Sequence, residues 1–186
     1  MDVLIEASAI AERAHKGQMR KHLDEPYFAH PTRVAARATD YGLPVEAIAA
    51  AWVHDVVEDC DDWTFARLKA EAMPRRTVVL ARLLTKWWIA DEDSGLDVVR
   101  LFKPVYYAAI AQDPDATDLK ILDRTDNLTD MVKIVDADSK WARAYMGKTQ
   151  EEFPSLLAVS RRPGVVAAYF AALATLQRAL EENAGR

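Results

Sequence analysis

The chain has 186 residues, 51% of them hydrophobic and 28% charged, a balance that suits one globular domain and excludes a disordered or fibrous chain. Its formal net charge of −5 argues against a nucleic-acid partner, which would require a basic surface. A local basic cluster for a small phosphorylated ligand is still compatible with that balance.

Helical spacing begins at once. Ala7, Ile10, Ala11 and Ala14 share one face of a predicted helix over 3–16, and Gly17 ends it. A loop through Asp24-Glu25-Pro26 leads to a second helix whose first turn holds Pro31 and which reaches residue 40. Gly42 and Pro44 separate it from a third helix over 45–58. Further helices are predicted over 64–72, 75–85, 97–111, 116–131, 139–146 and 164–183, while 86–96 and 149–163 show no clear pattern. No strand-like alternation, internal repeat or low-complexity tract interrupts this order. The expectation is an all-α fold, with 1–186 as a single compact multi-helix domain.

Several features bound the setting. A single cysteine, Cys60, allows no intramolecular disulfide and fits a reducing compartment. The N-terminus carries acids where a secretory signal carries bases. The apolar run from Val165 to Leu176 is too short to span a bilayer and reads as a buried helix. The expected setting is cytoplasmic, with no membrane partner; a homo-oligomer is compatible with a small helical chain.

The chemistry concentrates in three segments. His54-Asp55 and Glu58-Asp59 fall on adjacent turns at the end of the third predicted helix, embedded among Ala49 to Val53, Val56 and Val57. Buried carboxylates need a partner or a cation, although an acidic helix end standing alone is a solvated one. His30 precedes a helix and follows two aromatics; by itself it is an ordinary structural histidine. Asp123 and Asn127 lie one turn apart on a largely apolar helix, where Asp123 also has Lys120 within reach. Taken together, His30, His54, Asp55 and Asp123 form a two-nitrogen, two-carboxylate set of the kind that suits manganese, iron or zinc.

The order His…His-Asp…Asp resembles the HD superfamily of metal-dependent phosphohydrolases. A closer resemblance rests on five ordered motifs: His15-Lys16-Gly17-Gln18-Met19-Arg20-Lys21, Pro26-Tyr27-x-x-His30-Pro31, His54-Asp55-Val56-Val57-Glu58-Asp59, Thr85-Lys86, and Lys120-x-x-Asp123-Arg124-x-x-Asn127-Leu128. Over about the first 130 residues these are similar to the hydrolase domain of RelA/SpoT homologues, and in particular to stand-alone small alarmone hydrolases of the metazoan SpoT type.

The resemblance implies an HD-domain fold and an enzyme that removes pyrophosphate from the 3′ position of guanosine tetra- or pentaphosphate, usually with Mn2+, another divalent transition metal being compatible with the donors. It implies His30, His54, Asp55 and Asp123 as metal ligands and Glu58 and Asp59 as the catalytic acidic pair. Arg20 and Lys21 become the basic pair beside the nucleotide, with Arg20 against the base, and Asn127 lies at the nucleotide site. His15 is expected to hold its loop, Tyr27 to pack beside the site, and Trp87 and Trp88 receive no role. Two departures stand out: Cys60 where threonine often follows the acidic pair, and Asp24 where glycine is common in the loop. The chain is too short for the synthetase and regulatory domains of long relatives, so a free-standing hydrolase is expected. Other readings are an adenosine alarmone or the 2′-phosphate of NADPH as substrate, a role as antitoxin to an alarmone synthetase, and a non-enzymatic nucleotide-binding module.

Overall fold

A computed structural model describes residues 2–86 and 98–185, without the side chains of 98–101. Trp87, Trp88 and most of the unpatterned segment 86–96 lie outside the described residues. The described residues form helices joined by short loops, with one isolated extended pairing between Met19 and Pro26.

Helix α1 (Val3–Ala14) starts where the Asp2 carboxylate accepts from Leu4 N, and Gly17 follows it at φ +83°, a left-handed conformation natural to glycine. α2 (Ala29–Asp40) carries Pro31 in its first turn, as predicted. α3 (Val45–Val53) is rich in small residues: Ala47, Ala49, Ala50 and Ala51 are all buried, so α1 and α2 approach it closely.

The predicted helix over 45–58 is in fact two. α3 stops at Val53, and α4 (Val56–Asp59) begins after a break at His54 and Asp55. The cause is local. The His54 side chain donates from Nδ1 to the Ala51 carbonyl, the acceptor that Asp55 N–H would use in a continuing helix. Asp55 adopts φ −96°, ψ −7°.

α5 (Phe65–Ala70), α6 (Arg75–Leu84) and α7 (Val98–Ala111) follow close to their predicted places. α8 (Pro114–Ile134) is longer than predicted at both ends. Asp113 caps it by accepting from Asp115 N and Ala116 N. α9 (Ser139–Glu152) continues through Gly147, where the prediction stopped, because Thr149 and Phe153 beyond it are fully buried and hold the last turns in the core. α10 (Pro154–Val159) fills part of the unpatterned stretch, and α11 (Pro163–Ala184) packs along α8.

α11 corrects one expectation. Its apolar run is not wholly buried: Val165, Tyr169, Leu176 and Leu180 face inward, while Phe170 is 54% exposed. Among the described residues no helix is long and apolar enough to cross a membrane.

Two apolar clusters result. The larger gathers α2, α8, α10 and α11 with parts of α3, α6 and α7; the smaller gathers α1, α4 and α5 with the other faces of α3 and α6. The α3–α4 break lies between them.

Candidate metal centre and nucleotide cleft

Three elements converge at the break. α2 supplies His30, the break supplies His54 and Asp55, and α8 supplies Asp123. The donor atoms of His30, His54 and Asp55 lie within 4.8 Å of one another. Asp123 Oδ1 lies 3.3 Å from His30 Nε2 and 3.8 Å from His54 Nε2, facing the same space.

Both imidazoles present the same nitrogen. His30 donates from Nδ1 to Asp126 Oδ2 at 2.8 Å, and His54 donates from Nδ1 to Ala51 O at 2.8 Å. Each tautomer leaves an Nε2 lone pair directed at the carboxylates. Asp126 is itself fixed by Arg33 Nε at 2.8 Å, so the orientation of His30 is backed by a second pair.

The cluster has the chemistry of a cation site. His54 Nε2 is buried and makes no hydrogen bond among the described residues, although Asp55 Oδ2 is 3.2 Å away. Burial disfavours a charged imidazole, yet the Asp55 and Asp123 carboxylates outweigh it and hold His54 well above its ordinary pKa; His30 is raised as well. Asp55 and Asp123 are held low in return, against their own burial, Asp55 by His54 and Asp123 first by Lys120. A donor set that draws protons this strongly fits a divalent ion, and the His-His-Asp geometry fits a metal site.

Asp123 also confirms the competing pairing. Its Oδ2 accepts from buried Lys120 Nζ at 2.8 Å while its Oδ1 accepts from Asn127 Nδ2 at 2.6 Å and looks toward the imidazoles. One carboxylate thus serves a salt bridge and the cluster.

The acidic pair divides. Glu58 is clamped by Lys86, which donates from Nζ to Oε1 at 2.7 Å and from its backbone N to Oε2 at 2.8 Å. Asp59 meets Tyr27, whose Oη lies 2.6 Å from Asp59 Oδ2 and 2.8 Å from Asp55 Oδ2. The phenol has one proton for two carboxylates. Desolvation and the Asp55 charge push the Asp59 carboxyl up to about 6, against the effect of the Tyr27 hydrogen bond.

Gln18 ties the preceding loop to this turn. Its Nε2 donates to Asp59 O at 2.9 Å, leaving Oε1 to accept from His15 Nδ1 at 2.7 Å. His15 stacks on Tyr27 with ring centroids 4.5 Å apart, consistent with its expected loop-holding role. In the turn that follows the basic pair the left-handed residue is His22, at φ +62°, and not Asp24; that turn forms without a glycine.

The residues enclose a cavity of about 190 Å³. Arg20 and Asn127 line it: Arg20 Nη2 donates to Asn127 Oδ1 at 2.7 Å and to Asp130 Oδ2 at 2.9 Å. Lys21 is not among the lining residues; its Nζ lies 5.1 Å from the centre of the Trp141 ring. Lys86, Lys120, Arg124 and Tyr145 complete the wall. Arg124 is held between the rings of Tyr145 and Phe153, at 4.8 and 4.6 Å.

Sequence reading gave no role to Asp126, Arg124 or Tyr145, and under-read Tyr27 and Lys86. Asp126 follows Asp123 by three positions and Arg33 follows His30 by three, the helical spacing that could have revealed the supporting pair. The pairing of Lys86 with Glu58 joins distant segments and leaves no local signal.

Residues 7–147 match the HD domain family, and the chain belongs to that family. It is 32% identical over 122 residues, 66% of its length, to an Aquifex aeolicus protein named guanosine-3′,5′-bis(diphosphate) 3′-pyrophosphohydrolase, of which the match covers 17%. A Vibrio cholerae protein of the same name is 41% identical over 61 residues, 33% of this chain and 8% of that one. The Escherichia coli bifunctional (p)ppGpp synthase/hydrolase SpoT is 43% identical over 56 residues, 30% of this chain and 8% of its own. The chain thus spans less than a fifth of these curated relatives. A solved structure described as a metazoan ortholog of SpoT that hydrolyzes ppGpp superposes with a TM-score of 0.73 at 21% identity, covering 97% of both chains, and has the same fold.

Proposed function

We propose that this chain, read as one domain over 1–186, is a metal-dependent 3′-pyrophosphohydrolase of guanosine tetra- and pentaphosphate, releasing pyrophosphate and GDP or GTP. The observation that carries the reading is the pair of imidazoles, both with Nε2 aimed at Asp55 and Asp123 and His54 Nε2 without a hydrogen bond among the described residues, beside an acidic pair and a basic wall. The relatives named for this reaction support it.

His30, His54, Asp55 and Asp123 would hold the ion, with Mn2+ the expected choice among divalent transition metals. When bound, the ion supplies Lewis acidity to a phosphoryl oxygen and to an attacking water. Asp59, held against Asp55 by the Tyr27 hydroxyl, would take the proton of that water. Glu58, immobilised by Lys86, orients the water. Lys86, Lys120 and Arg124 offset the charge of the diphosphate, and Arg20 and Asn127 hold the nucleoside side.

The test is product analysis after incubation of the purified chain with ppGpp and Mn2+. Release of GDP and pyrophosphate, lost with chelator and in His54→Ala, is the expected result. Glu58→Gln should keep the ion and lose about 10²–10⁴-fold in rate. Absence of turnover by a folded, Mn2+-loaded chain would overturn the guanosine reading; adenosine alarmones and NADPH are then the substrates to assay.

A further inference from the structure

The described lining residues enclose about 190 Å³, less than the roughly 300 Å³ at which pockets for drug-sized ligands begin. A purine joined to a diphosphate held there would reach beyond those residues. Arg20 and Tyr145 are among its lining residues. Trp141 adjoins both by neighbours, packing against Tyr145 and lying under Lys21, which follows Arg20 in the chain.

Trp141 stands one helical turn before Tyr145 on α9, with ring centroids 6.3 Å apart. It is half-buried, so part of its indole meets solvent. Two exposed residues of the loop after Arg20 converge on it. The Lys21 ammonium lies over the indole ring, 5.1 Å from its centre, where a stacking base would take its place, and the His22 ring lies 4.8 Å from that centre at 50°. His22 reaches that place from a backbone at φ +62°, the left-handed region in which asparagine, aspartate and histidine are the most frequent residues after glycine. The Asp138 side chain, accepting from Trp141 N at 2.9 Å, caps α9 and fixes where the indole starts.

From this arrangement we infer that Trp141, braced by His22 and flanked by Lys21, is the platform on which the substrate's purine stacks, an inference that rests on the nucleotide reading above. The pairing suits a flat aromatic ring joined to phosphate: the indole face accepts any purine, and the ammonium displaced from it meets an anion. It also gives Lys21 a place at the site although it does not line the cavity. Stacking reads ring area more than hydrogen-bonding edges, so the platform selects purines over pyrimidines and separates guanine from adenine weakly.

The experiment is calorimetric binding of GDP, ADP, CDP and inorganic pyrophosphate to the Mn2+-loaded full chain, alongside ppGpp turnover. Trp141→Ala should weaken GDP and ADP by about tenfold, leave pyrophosphate unchanged, and raise KM for ppGpp with kcat retained. Trp141→Phe should restore most of the loss. His22→Gly, at an exposed position whose backbone glycine adopts freely, should move purine binding in the same direction by less and keeps the test open if Trp141→Ala fails to fold. Equal weakening of pyrophosphate and GDP, or no change in either, would overturn the platform. Turnover of ppGpp with an unaltered KM in Trp141→Ala would overturn it and leave the hydrolase reading intact. Base-dependent loss of binding in a chain that turns over no ppGpp would support the platform and overturn the hydrolase reading instead.

Discussion

Helices α8 and α11 lie against each other and reverse the usual relation of composition to burial. α8 carries most of its acids and bases inside: Asp118, Lys120, Asp123, Arg124, Asp126 and Asp130 are all buried. α11, the more apolar, leaves Phe170 and several alanines in solvent. The difference lies in partners. Asp118 is paired with Arg162 and Ser160, Lys120 with Asp123, Arg124 with Thr149 and Glu152, Asp126 with His30 and Arg33, and Asp130 with Arg20, Arg33 and Lys133. A polar helix can be interior when every charge is answered. An apolar helix is interior only as far as there is surface to meet it.

The sharpest way to break the contrast is Arg162→Ala. It leaves the fully buried Asp118 carboxylate with the Ser160 hydroxyl but no counter-charge, and should lower the free energy of unfolding by about 2 kcal/mol in urea titrations. Next is Asp126→Asn, which keeps the shape but weakens the hold on His30 Nδ1. Mn2+ affinity, measured by equilibrium dialysis, should fall about 10–100-fold with the fold intact.

The same carboxylate predicts a pH signature. Burial raises the Asp126 pKa, but the bonds from His30 and Arg33 outweigh it and hold it below the ordinary value. A depressed folded-state pKa adds stability that is present above the unfolded value, about 3.9, and lost as pH falls through the folded one. In chelator, the advantage of wild type over Asp126→Asn in urea midpoint should shrink as pH falls below about 4 and Asp126 takes up a proton, and should shrink again as pH rises through the raised His30 value. The smallest effect is on the other helix: Phe170→Ser should change stability by less than about 0.5 kcal/mol.

Much of this was legible in the sequence, unevenly. The helical class, most element positions and the set His30, His54, Asp55 and Asp123 follow from periodicity and motif order, and the structure gathers those four around one space. The break at His54 was not legible, because the bond from its side chain to Ala51 O competes with a helix that the alanine-rich spacing favours. Nor was the half-exposure of α11, since hydropathy records what a segment tolerates and not which neighbours arrive. Arg20 and Asn127, which the resemblance assigned to one site, are hydrogen-bonded and line the same cavity; the place of Lys21 over the Trp141 ring depends on a loop turn that spacing does not encode.

The α3–α4 break has a further consequence. It is a seam between two apolar clusters, and the candidate site is stitched across it. His30 and Asp123 stand with the larger cluster; Asp55, Glu58 and Asp59 stand on the side of the smaller. Cooperative units of unequal strength open separately, the weaker first. Loosening of the smaller cluster alone would part Asp55, Glu58 and Asp59 from His30 and Asp123 while most of the chain stayed native. The chemistry would then fail as a fuse fails, well before the fold.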